Sequence, residues 1–326
     1  MSPQPHPRRL TALRALGLGD LLVAVPALRA LAVAFPTYRR ILIAPASLSP
    51  LVAMLGNVIT DITHADFRHR VGAIPVRASD ADIAVNLHGK GPHSHRALLD
   101  SGARRVIGYA HPLVDRSGPP EWRPEEHEML RWCRLLNEHG IPADPGDWRI
   151  DPGPWVPVPA GWDGAVVVHP GAASGARRWP TGRWVGVVRE LAARGMTVVI
   201  SGSHAERPGA LDLARRAGLP DRAVRAGRTS LAGLAAGLSR ARLLVSGDTG
   251  VGHLGSALGT PSVLLFGPTS PARWGPPPDQ DGRHLVLWGG SEGDPHADDV
   301  DAGLLTISID DVLDGADSVM GRWANV

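Results

Sequence analysis

The chain has 326 residues, 43% of them hydrophobic, enough to bury substantial cores and, by length, to form about two domains. A formal net charge of +2, with arginines scattered rather than massed, argues against a nucleic-acid surface; 39 Gly and 30 Pro without a period exclude a fibrous chain. Cys133 is the single cysteine, which excludes an intramolecular disulfide and a cysteine-rich metal site and suits a reducing cytoplasm.

Arg8 and Arg9 precede an apolar stretch, but Arg14, Asp20 and Arg29 interrupt it, so neither a signal core nor a membrane span is expected. A soluble, cytoplasmic protein follows, with peripheral contact at a membrane surface left open. Residues 10–16 read as a first strand, Gly17-Leu18-Gly19-Asp20 as a turn, and 21–35 as a helix ended by Pro36. Asp20 is thereby expected at the tip of a strand-to-helix turn, and in open α/β sheets the carboxyl ends of strands are where ligands bind. Strands over 39–44, 83–87 and 106–109 alternate with helices over 50–55, 93–99 and 125–140. Residues 142–163 carry Pro142, Pro145, Pro152, Pro154, Pro157 and Pro159, the composition of an interdomain linker.

The alternation restarts after it. Strands are predicted over 165–169 and 197–201, helices over 183–194, 206–217 and 231–238, and a strand, turn, helix, strand unit over 242–266, with a last helix at 309–320. The sequence does not say whether that helix returns to the first domain. The whole reads as α/β, with domains 1–155 and 156–326, each a doubly wound parallel sheet.

Three stretches of the second half carry chemistry. In 247–250 a glycine turn opens a small-residue helix, whose first amides and dipole suit a diphosphate; Asp248 and Thr249 are candidate caps. Taken literally, GVGHLG at 250–255 is also the dinucleotide pattern, but the strand after it ends LLFGP at 264–268 with no acid for a ribose, so a nucleotide-sugar is favoured over a nicotinamide. Arg177 follows a second Gly-rich turn, 170–175, whose free amides would join it in neutralising a diphosphate; a solvated surface arginine is the equal alternative. Glu206, near the end of the strand at 197–201, suits two ribose hydroxyls, or else serves as an acid at a helix N-terminus. His88, His93 and His95 have no acidic or cysteine companions at ligand spacing, so no metal is expected.

Taken in order, RALGLGD at 14–20, PALRAL at 26–31, NLH at 86–88, SGARR at 101–105, HPGA at 169–172, RRWP at 177–180, GRTSL at 227–231, SGDTG at 246–250 and FGPT at 266–269 resemble glycosyltransferase family 9, the heptosyltransferases of lipopolysaccharide assembly. The resemblance runs over nearly the whole chain. It implies a GT-B fold, two Rossmann-like domains facing a central cleft, with an acceptor domain before a donor domain. It further implies an inverting enzyme that moves a sugar, a heptose, from an ADP-linked donor to a hydroxyl of a glycan, glycolipid or small molecule, with no metal or other cofactor. Asp20 matches the base and Arg177 stands where the family commonly has a phosphate-binding lysine. Gly171, Ser174, Glu206, Thr229, Asp248, Thr249, Gly250 and His253 fall on the donor side; Gly19, His88 and Lys90 on the acceptor side. The chain departs from the family at Gly247 (often Asn), at Val251-Gly252 (often Pro-Met) and at 293–298, where GDPHAD replaces a cysteine-bearing segment. The rival to an enzyme is a nucleotide-sugar-binding protein of the same fold without turnover.

Overall fold

A computed structural model describes residues 7–114, 120–154, 156–277 and 282–323. It divides into two compact units, Met1–Trp148 and Arg149–Val326. The division comes earlier than the expected boundary, which touches Trp155, a residue outside those described. Its cause is local: the Arg149 side chain donates to the Ser256 carbonyl (3.1 Å) and the Ile150 amide to the Ala257 carbonyl (3.0 Å), fastening this segment to the second unit.

In the first unit the strands are β1 (Arg9–Leu13), β2 (Arg39–Ala44), β3 (Asp61–His64), β4 (Ile83–Asn86) and β5 (Arg105–Ile107). Between and after them lie helices α1 (Leu18–Val23), α2 (Val25–Ala34), α3 (Ser49–Met54), α4 (His93–Asp100) and α5 (Glu128–Glu138). The sheet is parallel, in the order β3-β2-β1-β4-β5. Its central strands are almost wholly buried, as a sheet covered on both faces requires. The chain leaves β1 toward β2 and returns to its other side as β4, so the topological switch point lies between the carboxyl ends of β1 and β4.

The predicted helix 21–35 is two helices. Pro26 has no amide to continue the ladder from α1, and sits in the first turn of a new helix where none is needed. The first of them also begins earlier than expected, so Asp20 is its third residue rather than the tip of a turn.

The second unit holds β6 (Val166–His169), α6 (Thr181–Ala193), β7 (Val198–Ile200), α7 (Arg207–Ala217), α8 (Leu231–Arg240), β8 (Leu243–Gly247), α9 (Gly250–Leu258), β9 (Ser262–Phe266), α10 (Pro271–Trp274), β10 (His284–Trp288), α11 (Ala302–Thr306) and α12 (Ile309–Trp323). Its parallel sheet runs β10-β9-β8-β6-β7, with the switch point between β6 and β8. The core gathers Val168, Trp184, Val187, Ile200 and Val245, and α12 contributes Val312, Ala316 and Val319 to it, packing on its own unit's sheet. Two edge strands, β3 and β10, are absent from the predicted elements. Each pairs on one side only; β3 (DITH) has no apolar run and Thr63 as its one buried residue, whereas β10 (HLVLW) has such a run, which the sequence reading passed over.

Candidate active site

Around the first switch point, Asp20 is the accessible carboxylate. Its side chain is 31% exposed, with Oδ2 accepting the Gly17 amide at 3.0 Å and Oδ1 lying 3.4 Å from Arg14 Nη2. Arg14 leaves the end of β1 and is buried, its side chain 1% exposed. Its Nε donates to the Asp20 carbonyl (2.8 Å), Nη1 to the Leu87 carbonyl and Nη2 to Glu128 Oε1 (3.3 Å), while the Trp132 ring lies 4.9 Å away. Glu128 is paired in turn with Arg131, whose guanidinium also donates to the carbonyls of Arg123 and Glu126. Buried charge is tolerable only when partnered in this way. The result is a carboxylate whose backbone and side chain are both tied to one immobile cation.

His88 follows β4 into the same surroundings. Burial, and then the charge of Arg14, push its imidazole down to about 4 against a smaller opposing pull from Asp20, so it is neutral near pH 7. Its Nδ1 is buried with no hydrogen-bond partner, and its ring meets Phe67 edge to face at 6.2 Å. Gly19 adjoins Asp20 within α1. Lys90 is exposed, on a concavity of about 640 Å³ that it lines with His111, Glu121 and Trp122.

At the second switch point the loops after β6 and β8 touch: a side chain at Gly247 would come within 3.4 Å of the Arg177 carbonyl. Thr249 caps α9, accepting the Gly252 amide at 3.3 Å. Asp248, the other candidate cap, is not one. It is 6% exposed, and burial raises its carboxyl above the usual range, against the pull of His253 and then Arg177. A carboxyl inclined to hold its proton repels an incoming diphosphate less than a carboxylate does. His253 Nε2 lies 3.9 Å from Asp248 Oδ1, and its ring meets Trp274 at 5.9 Å. The hollow behind this turn, lined by Asp248, Thr249, His253 and Ser256, measures about 10 Å³, room for a water and none for a sugar.

Glu206 stands just before α7 without capping it. Its Oε2 accepts the Ser203 amide at 2.6 Å, and its carboxylate fills the space a side chain at Gly171 would need, Oε1 lying 1.9 Å from the position of such a Cβ. The loop carrying Thr229 adjoins it, through the Gly227 amide and the Gly202 carbonyl (2.9 Å). Gly171, Glu206 and Thr229 thus belong to neighbouring loops. Just past the predicted turn at 170–175, the amides of Ala176, Arg177 and Arg178 are bonded to the carbonyls of Ala297, Ser174 and Gly175. An anion beside Arg177 meets its guanidinium rather than these three amides.

Sequence reasoning passed over Arg14 as a functional residue, and Glu128 and Arg131 altogether. The available signal was an arginine directly after the strand's apolar run, where an unpaired charge would be costly. His93 and His95 lie on α4, and among the described residues no group of three His, Cys, Asp or Glu side chains could hold a metal. No helix among those residues is long and apolar enough to cross a membrane.

Two Rossmann-like domains with ligand-type residues at both switch points define the GT-B class of fold. The model of glycosyltransferase family 9 (heptosyltransferase) matches residues 109–288, and the chain belongs to this family. It is 38% identical over 160 residues to lipopolysaccharide heptosyltransferase 1 of Pseudomonas aeruginosa, a stretch covering 48% of this chain and 43% of that relative, so the match spans less than half the relative's length. Its fold is that of a family 9 glycosyl transferase from Veillonella parvula (TM-score 0.75, 20% identity, 97% of each chain). The fold is likewise that of an E. coli heptosyltransferase solved with ADP (TM-score 0.69, 18% identity, 95% of this chain and 99% of that one).

Proposed function

We propose that the protein is an inverting glycosyltransferase that moves a heptose from ADP-heptose to a hydroxyl of a glycan or glycolipid acceptor. The observation that carries this is the second switch point, where Arg177, the capped N-terminus of α9 and the Gly171–Glu206 pair meet on adjoining loops, a set suited to diphosphate and ribose. The ADP-bound relative of the same fold, and the heptosyltransferase similarity, supply the donor.

In the reaction the acceptor oxygen bonds to the anomeric carbon as the bond from that carbon to the diphosphate oxygen breaks. The acceptor proton passes to Asp20, and the bonding pair leaves with ADP. Asp20 fits the base because it is an accessible carboxylate at the first switch point and points in a direction fixed by Arg14 and Gly17. Arg177 neutralises the departing diphosphate, an interaction that grows as the bond breaks. Asp248, closed off from solvent beside His253, is suited to hydrogen-bond the donor sugar or a phosphate oxygen.

Incubation with ADP-heptose tests the proposal. ADP release that accelerates on adding a lipopolysaccharide-core acceptor is expected. Saturable ADP-heptose binding without release across a panel of acceptors would make the protein a binding module instead.

A further inference from the structure

Ser174 sits where the donor diphosphate is expected, yet its hydroxyl is already spoken for. A serine hydroxyl has one hydrogen. Here that hydrogen goes to the Pro295 carbonyl at 2.6 Å, while the oxygen accepts Arg177 Nε at 3.3 Å. No hydrogen is left to offer a phosphate oxygen, and the hydroxyl instead joins Arg177 to the segment of residues 293–298.

That segment is itself pinned as a strap across the carboxyl edge of the second sheet. At one end the Gly293 amide donates to the Pro268 carbonyl (3.0 Å), and at the other the Asp301 amide donates to the Ala176 carbonyl (3.3 Å) while Asp301 Oδ1 caps α11 through Gly303 (2.9 Å). In its middle the Ala297 carbonyl takes the Ala176 amide (2.9 Å), and the strap backbone presses so closely on Gly175 that a Cβ there would lie 1.5 Å from the Asp298 carbonyl oxygen. Glycine is therefore required at 175 for the strap to seat.

We infer that Ser174 is a positioning residue rather than a donor ligand, and that the strap over 293–298, through Ser174, fixes the Arg177 guanidinium in the direction of the diphosphate. This inference rests on the reading of Arg177 given above. A guanidinium on a flexible stem loses less freedom per bond formed when its Nε is already held, so the strap raises what Arg177 contributes to the transition state.

The test is a double-mutant cycle of Ser174→Ala and Arg177→Ala. The readouts are ADP release from ADP-heptose, ADP affinity by calorimetry, and amide hydrogen exchange over residues 174–178 and 293–298. Ser174→Ala is expected to lower turnover roughly tenfold, the worth of one hydrogen bond to a charged group, with little change in ADP affinity and faster exchange at the strap. In the Arg177→Ala background it should cost nothing further. Gly175→Ala, which lifts the strap by steric contact, should repeat the pattern. An equal loss in both backgrounds would mean that Ser174 binds the donor itself and would overturn the inference, as would unaltered exchange in Ser174→Ala. An Arg177→Ala protein with normal turnover would instead remove the proposed role of Arg177, a different failure read from a different corner of the cycle.

Discussion

Asp20 and Asp248 each follow a central strand of a parallel sheet, yet their surroundings are opposite. Asp20 stays partly open to solvent, with a buried arginine holding both its carbonyl and its carboxylate, and that arginine balanced by Glu128. Asp248 is closed off, its nearest basic partner a histidine at 3.9 Å, and desolvation raises its carboxyl. On the proposed reading, exposure and the placement of fixed charge, rather than location at a switch point alone, single out Asp20 as the base. Three buried ionic groups, Arg14, Glu128 and Arg131, stand behind the first aspartate, whereas the second lies in a backbone turn.

The contrast can be broken from either side. The largest effect expected is on the ionic support. Glu128→Ala leaves the buried cations Arg14 and Arg131 short of a partner, which should destabilise the protein by about 3–5 kcal/mol. Denaturant unfolding that places Glu128→Ala within 1 kcal/mol of wild type, on the order of a surface change, would show that the network is not needed for the fold.

Next comes the nucleotide. Glu206→Ala removes the acid expected to take ribose hydroxyls and should weaken ADP roughly tenfold to hundredfold, with a smaller change in turnover at saturating donor. Calorimetry giving wild-type ADP affinity would return Glu206 to a purely local role, as acceptor of the Ser203 amide.

The smallest effect concerns acid. His88 titrates near 6.5 when unfolded and is pushed to about 4 in the fold, so between those values the unfolded chain binds more protons and falling pH draws the protein toward unfolding. His88→Gln removes this contribution. The drop in Tm between pH 6.5 and pH 4 should therefore shrink, and an unchanged drop would place the acid sensitivity elsewhere.

Much of the fold was legible because its central strands are continuous apolar runs between glycine turns. The strand at 39–44 was read to the residue, and the alternation announced two parallel sheets. Of the edge strands, β5 and β7 were read and β3 and β10 were not; β3 (DITH) offers no apolar run to read, whereas the run in β10 (HLVLW) was passed over. At the site, turn residues such as Thr249 announced themselves through helix-start chemistry. The Arg14–Glu128 pair joins positions 114 residues apart in sequence, and the strap reaches Ser174 from 121 residues away. Nothing local in either stretch encodes its partner. The bond from the Ala176 amide to the Ala297 carbonyl is of the same long-range kind.

The assignment of Asp20 as the base is tested most directly by Asp20→Asn. Asparagine can still accept the Gly17 amide and lie beside Arg14, so the helix start is kept, but it cannot take the acceptor's proton. With fold and ADP affinity preserved, turnover at saturating donor and acceptor should fall by about 10²–10⁴-fold. Near-normal transfer by Asp20→Asn would contradict the assignment and leave Asp20 a residue that only steadies the first turn of its helix.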